Sequence, residues 1–328
     1  MKKICIKGTG CYIPERIVPN SYFEATVDTS EEWIVSRTGI KERRMVLPGQ
    51  ALSDMATPAS KRALEMAGLS PLDLDLIIVG TSTADMASPS AGCMIQHKLG
   101  AKNAVAFDVN AACPGFIFGL AVARKFMQDG SHRQVLVIGA EIISHRTDFQ
   151  DRNTCVLFGD GAGAVVLGLA AREKDGELLS TEIYSDGDLW KLLHVPGGGS
   201  MNPISHEMID QRLHYVKMKG NEVFKHAVRS MIEAAQKALE GSGLTKDQID
   251  WFIPHQANIR IMEAVAKQMD IPVEKVIKTV HKYGNTSAAT IPTALDEAVR
   301  SGQIKRGHLV LAASFGAGFT SGGVLFRF

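Results

Sequence analysis

A chain that repeats itself has to fold the same way twice, and this one does repeat. Slid along itself until Ala59 falls on Ala234, the sequence meets itself in several places. Ala59-x-x-x-Ala63-Leu64-Glu65-x-x-Gly68-Leu69-Ser70 falls on Ala234-x-x-x-Ala238-Leu239-Glu240-x-x-Gly243-Leu244-Thr245. Asp75-Leu76-Ile77-Ile78 falls on Asp250-Trp251-Phe252-Ile253, and Asn110 falls on Asn285. After a one-residue slip, Val135-Leu136-Val137 falls on Leu309-Val310-Leu311. The order helix, turn, strand, elbow, helix, strand holds in both copies. Duplication is the reading, with halves at 1–171 and 172–328. Two such halves pack about a pseudo-twofold axis and bring their elbows to one central site.

Each half alternates short β-rich runs with helical patterns. The runs are Leu76–Gly80, Val105–Val109, Val135–Gly139, Ala164–Leu169, Trp251–Pro254, Val276–Thr279, Leu309–Ala313 and Gly323–Phe328. The helical patterns are Met55–Met66, Ala91–Leu99, Pro114–Gln128, Glu222–Leu239, Ile259–Met269 and Ile291–Arg300. Apolar runs separated by helices predict an α/β fold with a largely buried sheet. With 45% apolar and 22% charged residues, the 328-residue chain is neither disordered nor fibrous. A net charge of +1 argues against a nucleic-acid partner. Five cysteines, none in a C-x-x-C pair, argue against a disulfide framework or a zinc knuckle and fit a reducing cytoplasm. Lys7, Gly8 and Pro14 interrupt any apolar signal region, and no uninterrupted apolar run is long enough to cross a bilayer. Neither a signal peptide nor a membrane span is therefore expected.

Three residues stand where chemistry is expected. Cys113, in Ala111-Ala112-Cys113-Pro114-Gly115, follows a β-rich run and opens a helical pattern. Pro114 suits the first helical position, which puts the thiol at a helix N-terminus where free N–H groups favour a thiolate. A lone cysteine is more often a buried structural residue, but this sharp turn of small side chains reverses those odds. His255 is the repeat partner of Gly80 at a strand end, beyond the carboxyl ends of strands, where α/β proteins bind ligands. Asn285 lies in the second elbow, facing Cys113 across the axis. Pro196-Gly197-Gly198-Gly199-Ser200 is read as a turn, since no Lys-Ser/Thr follows. Gly159-Asp160-Gly161-Ala162-Gly163 is read as close packing before a strand.

With these residues in place, the chain resembles the β-ketoacyl-[acyl-carrier-protein] synthase III family, the initiating condensing enzymes of bacterial type II fatty-acid synthesis. The resemblance rests on Cys113 in A-A-C-P-G-F, His255 in P-H-Q-A-N-x-R-I and Asn285 in G-N-T-S-A-A, together a Cys-His-Asn triad. Further matches are Gly8-Thr9-Gly10, Thr29–Ile34, Arg37–Ile40, Phe158–Gly163 and Phe315–Thr320, so it spans essentially the whole chain. It implies a thiolase-like fold, two βαβαβαββ halves in a five-layer α-β-α-β-α body. It also implies acyl transfer to Cys113, then a decarboxylative condensation with malonyl-[acyl-carrier protein], with no metal and no cofactor beyond the acyl-CoA substrate. Asn285 in third place argues against the Cys-His-His enzymes of elongation and against thiolases, which use a second cysteine.

The resemblance implies further roles. Oxyanion donors come from the nucleophile's own backbone and the turn Phe315-Gly316-Ala317-Gly318; a positive φ at Ala317, where some members have Gly, would cost about 1 kcal/mol or more. Trp33 and Arg152 sandwich an adenine ring, Arg37 meets CoA phosphates, and Phe224 and Asn258 line the pantetheine channel. Lys225, Arg260 and Lys267, with Arg229, offer a basic face to an acidic acyl carrier protein. Family members are homodimers in which a loop, here Asp85–Ser90, closes the partner's acyl pocket; Ser88 in place of a bulky aromatic leaves room for longer primers. The other readings are a condensing enzyme of a specialised polyketide-type pathway, a Cys-His-Asn hydrolase, and a non-catalytic CoA- or carrier-binding module.

Overall fold

The computed structural model describes residues 3–328. The first half runs β1 (Ile4–Tyr12), α1 (Leu52–Ala67), β2 (Leu76–Gly80), α2 (Ala91–Leu99), β3 (Val105–Val109), α3 (Gly115–Met127), β4 (Gln134–Glu141) and β5 (Gly161–Leu169). The second runs β6 (Glu177–Ser185), α4 (Gly220–Glu240), β7 (Trp251–Pro254), α5 (Ile259–Gln268), α6 (Thr290–Arg300), β8 (Leu309–Gly316) and β9 (Thr320–Arg327). The ends are set locally. Ser30 caps the helix Glu31–Thr38, Ser90 caps α2 and Asn258 caps α5, each side chain accepting a backbone N–H of the first turn. Gly68 ends α1 with φ +65°, a conformation open to a residue without Cβ.

The strand orders are β1-β5-β4-β2-β3 and β6-β9-β8-β7. In each sheet the first strand pairs antiparallel with the last, the last antiparallel with the one before it, and that one parallel with the second. The repeat therefore holds for four strands of each sheet. Leu76 pairs with Val135, and Trp251 with Val310. Asp75 N–H donates to the Gln134 carbonyl, and Asp250 N–H to that of Leu309. Both members of each pair keep the spacing that relates Ala59 to Ala234, so the one-residue slip read from side-chain identity is absent from the backbone.

One strand expected from the sequence is nearly lost. In place of Val276–Thr279 there is a single parallel bridge from Phe252 to Val276. The Gln256 side chain takes the backbone groups that a longer ladder would use. Its oxygen accepts from Thr279 N–H (2.8 Å) and Val280 N–H (3.2 Å), and its amide donates to the Ile277 carbonyl (3.2 Å). The strands β1 and β6, which the β-rich runs did not mark, complete the two sheets.

The layers follow from which faces are apolar. α1 and α2 pack Met55, Ala59, Ala63 and Ile95 on the outer face of the first sheet. α4 and α5 pack Met231, Ala235, Met262 and Val265 on the outer face of the second. Between the sheets, α3 (Phe116, Ile117, Leu120) and α6 (Ile291, Ala294, Leu295) share one core with the inner faces of both. At about 1.5–3 kcal/mol for each fully buried Leu, Ile or Phe, this shared layer holds the halves together. It also aims the N-termini of α3 and α6 at one place.

Candidate active site

The first elbow joins β3 to α3. The Asn110 side-chain oxygen accepts from Ala112 N–H at 3.4 Å, and Ala112 has φ +49°. Asn stabilises such a turn through its own side chain. Cys113 comes next and is half-buried. Pro114 is the N-cap of α3 and Gly115 its first residue, one place later than the sequence suggested. Burial pushes the Cys113 thiol up to about 12, and the hydrogen bond from Ser287 offsets only part of that. The thiolate expected from the helix N-terminus is thus not the resting form.

The second elbow has the same backbone. The Asn285 side-chain oxygen accepts from Ser287 N–H at 2.8 Å, and Ser287 has φ +51°. This leaves the Asn285 amide nitrogen free to donate. Ala288 stands where the first elbow has its cysteine. The Ser287 hydroxyl reaches across the axis and lies 3.4 Å from Cys113 Sγ. It also lies 3.4 Å from Oε1 of Glu141, a buried carboxyl at the end of β4.

His255 follows β7 and is 2% exposed. Burial pulls its imidazole down to about 3, so it is neutral. Its Nδ1 is 2.7 Å from the Thr290 hydroxyl, which is 3.0 Å from the Ser287 carbonyl. A hydroxyl has one proton to give. The Ser287 carbonyl only accepts and competes for that proton; when the hydroxyl turns toward Nδ1 instead, the imidazole proton sits on Nε2. Gly316 lets the strand end press on the nucleophile, since a Cβ there would lie 2.7 Å from Cys113 N. The positive φ of this turn falls on Gly318 (+137°), so the strain considered for Ala317 does not arise. The Thr320 hydroxyl lies 2.9 Å from both the Ala111 and the Ala317 carbonyls, joining the turn to the first elbow.

All three candidate catalytic residues line one cavity of about 1300 Å³, drawn from both halves. Phe315, Ala317, Trp33, Arg37, Phe224, Asn258, Lys225 and Arg260 line it too, as does the turn Gly197–Gly199. Gly316 and Arg152 are not among the lining residues. The Arg152 guanidinium lies directly over the Trp33 ring, 4.5 Å from its centroid, and 3.5 Å from Asp28. A ring enters between these faces only if Arg152 swings aside, because a sandwich needs about 7 Å. Arg260 lies over Phe224 at 5.8 Å. Lys267, in the last turn of α5, is exposed away from the cavity lining, and Arg229 is paired with Glu233 at 2.8 Å. Ser88 is exposed and does not line the cavity of its own chain. Ser90 is the residue that caps α2. Among the described residues, no group of three or more His, Cys, Asp or Glu is placed to hold a metal ion, and no helix is long and apolar enough to cross a membrane. Glu141 and Thr290 carry no local motif, and Ser287, although it lies in the G-N-T-S-A-A run, was given no role by sequence reading.

Residues 107–187 match the model of 3-oxoacyl-[acyl-carrier-protein (ACP)] synthase III, and residues 239–328 match its C-terminal model. A β-ketoacyl-[acyl-carrier-protein] synthase III from Caldanaerobacter subterraneus subsp. tengcongensis is 54% identical over 96% of this chain and 95% of its own. Another from Alkalilimnicola ehrlichii is 50% identical over 98% of both. The crystal structure of 3-oxoacyl-[acyl-carrier-protein] synthase III from Aquifex aeolicus superposes with a TM-score of 0.92 at 47% identity, over 99% of this chain and 100% of that one. The priming β-ketosynthase of the R1128 polyketide pathway gives 0.92 at 36% identity, over 100% and 96%. The duplicated thiolase-like fold, the paired elbows and these full-length likenesses agree, and the chain belongs to the β-ketoacyl-[acyl-carrier-protein] synthase III family.

Proposed function

We propose that this chain is an acyltransferase that condenses an acyl-CoA primer with malonyl-[acyl-carrier protein]. The products are a 3-oxoacyl-[acyl-carrier protein], CoA and CO2, and the reaction initiates fatty-acid synthesis. One observation carries this reading: Cys113 and Asn285, from two facing elbows, and His255, at the end of β7, line a single cavity. Cys113 Sγ attacks the acyl thioester and becomes acylated as CoA leaves. Backbone N–H groups of Cys113 and of the turn Phe315–Gly318 hold the oxyanion. In the second step the Nε2–H of His255 and the amide of Asn285 donate to the malonyl thioester oxygen while CO2 departs. The resulting enolate attacks the acyl carbon on Cys113. A neutral His255 suits this task, because it donates without surrendering its proton to water.

Residues 1–171 carry the nucleophile, and 172–328 carry His255 and Asn285. Trp33, Arg37, Arg152, Phe224 and Asn258 serve CoA. Lys225 and Arg260 serve the carrier protein, and Lys267 extends the same basic side. Homodimerisation is supported by β3, an edge strand whose Val105 is 59% exposed. In the dimer Ser88 would face the partner's acyl pocket. Five free cysteines are consistent with a reducing cytoplasm.

The test is CO2 release from malonyl-[acyl-carrier protein], with and without acyl-CoA. Release stimulated by acyl-CoA supports the proposal; thioester hydrolysis without CO2 release would make the chain a hydrolase. A second reading, priming of a specialised polyketide, is favoured by the 36% likeness to the R1128 priming enzyme. Mass spectrometry of acyl-Cys113 after exposure to a mixed acyl-CoA pool separates the two by the primer retained.

A further inference from the structure

The resting thiol poses a problem. Cys113 must lose a proton as it attacks, yet burial holds that proton on sulfur. Among the described residues, the only side chain hydrogen-bonded to Sγ is the Ser287 hydroxyl at 3.4 Å. A hydroxyl is no base by itself, but it passes a proton on if a base stands behind it. Behind Ser287 stands Glu141, at 3.4 Å.

Glu141 is fully buried, and none of its hydrogen-bond partners is a cation. Its Oε1 accepts from Ser82 N–H (2.9 Å) and from the Ser82 hydroxyl (3.0 Å). The Thr83 hydroxyl donates to its Oε2. Burying a carboxyl with neutral partners alone is costly unless the site uses it. The duplication sharpens the point. Glu141 ends β4 as Gly316 ends β8, the two are partners in the repeat, and each meets the elbow of the opposite half. At Gly316 the lack of a side chain lets the backbone touch Cys113. At Glu141 the same place carries a carboxyl aimed at the elbow whose hydroxyl touches Cys113.

We propose that Cys113, Ser287 and Glu141 form a one-proton relay that serves both half-reactions. As Sγ bonds to the acyl carbon, the thiol proton passes to the Ser287 oxygen. The Ser287 hydroxyl proton passes to Glu141, which becomes a neutral acid. The bond from the acyl carbon to the CoA sulfur breaks, and CoA leaves as a thiolate that takes its proton from water. In the condensation the carbon–carbon bond forms and the acyl carbon–Sγ bond breaks. Cys113 then leaves as a thiolate and recovers its proton from Glu141 through the same hydroxyl. One proton is consumed from solvent per turnover, as the release of CoA thiol and CO2 requires.

Ser287 touches a reacting atom. Glu141 acts through it and is a positioning residue. Burial pushes the Glu141 carboxyl up to about 7, where it can both take and return a proton near neutrality. The cavity is also lined by the titratable groups Arg37, Arg146, His194, Lys225, Arg260 and His255, the last held neutral by burial, but only the Cys113 thiol shares the Ser287 hydroxyl with Glu141. Ser82, Thr83 and Ser287, the remaining neighbours, do not titrate.

The relay rests on Cys113 as nucleophile, and it is tested without the condensation. The rate of Cys113 alkylation by iodoacetamide is measured from pH 5 to 10 in the full chain, by mass spectrometry of the Cys113 peptide. Wild type should show a reactive limb that rises near neutrality with the carboxylate, before the thiol ionises. Glu141→Gln should lose this limb and alkylate about tenfold more slowly at neutral pH, with the alkaline limb unchanged. Ser287→Ala guards against misfolding. Its repeat partner Ala112 already holds an alanine at φ +49°, so the turn accepts one. It should reproduce the Glu141→Gln profile, and the double variant should be no slower than either single one. A profile that falls equally at every pH would mean a structural role and overturn the relay. Faster alkylation in Glu141→Gln would also overturn it, since the carboxylate would then act only by repelling the thiolate. If wild type shows the neutral limb but accepts no acyl group from acyl-CoA, the proposed function fails and the relay stands.

Discussion

The two elbows share a backbone and have opposite chemistry. Each begins with an asparagine whose side chain folds back on the N–H two residues later, and each then places a non-glycine residue at positive φ, +49° at Ala112 and +51° at Ser287. The next residue is Cys113 in one and Ala288 in the other. Duplication supplied two identical mounts, and single residues divided the work. On the proposed assignment, the first holds a nucleophile. The second holds donors: the Asn285 amide, the Ser287 hydroxyl and, through Thr290, the imidazole of His255. The sharpest way to break this division is Cys113→Ala, which makes the first elbow resemble the second. Acyl transfer from CoA should fall to background, while malonyl decarboxylation continues because His255 and Asn285 remain. Condensation near the wild-type rate would contradict the assignment.

The converse variants come next in size. His255→Ala and Asn285→Ala should each slow malonyl decarboxylation by about 10²–10³-fold, as expected for one lost oxyanion donor. Both should still accept a radiolabelled acyl group on Cys113. Equal loss of both half-reactions would show that the halves do not divide the chemistry.

How much of this was legible beforehand follows the same division. The three residues of the proposed triad, which line one cavity, were named from the sequence because each sits in a local motif. Cys113 lies between small residues and a proline, His255 ends a strand, and Asn285 opens a turn. The repeat could be read because α1 and α4 keep their Ala-x-x-x-Ala faces and glycine ends. The strand β1 was missed because Lys7, Gly8, Thr9 and Gly10 break its apolar alternation, although Gly8 and Gly10 are needed where α1 presses on it. Val276–Thr279 looked like a strand because its valine and isoleucine fit one. A glutamine well upstream, Gln256, takes its backbone groups instead, and no local pattern carries that. Glu141 and Ser287 are 146 residues apart, and only the packing of one half on the other joins them.

The halves also differ at the mouth of the cavity. The first supplies Trp33 and Arg37, and the second supplies Lys225 and Arg260. If CoA is held by the first and the carrier protein by the second, one charge reversal should separate them. Arg260→Glu should raise KM for malonyl-[acyl-carrier protein] by about threefold to tenfold at low salt and leave acyl-CoA kinetics nearly unchanged. The effect should shrink as salt rises. An unchanged KM at low salt would remove Arg260 from the docking face.

A further difference lies in stability, where the halves carry buried titratable groups of opposite sign. His255, from the second half, is pulled from 6.5 down to about 3, so its share of stability is full above pH 6.5 and lost as pH falls toward 3. Glu141, from the first, is pushed from 4.5 up to about 7, so its share is full below pH 4.5 and lost as pH rises toward 7. Between pH 4.5 and 6.5 the unfolded chain holds one extra proton on the histidine and the folded chain one on the carboxyl. The two cancel, and this pair gives wild type almost no slope there. Removing either should expose the other at about 1.4 kcal/mol per pH unit. In denaturant titrations across that window, Glu141→Gln should lose stability relative to wild type as pH falls, and His255→Asn as pH rises. The double variant should run parallel to wild type again. Slopes of the same sign in both single variants would mean that the two halves do not balance their buried charges against each other.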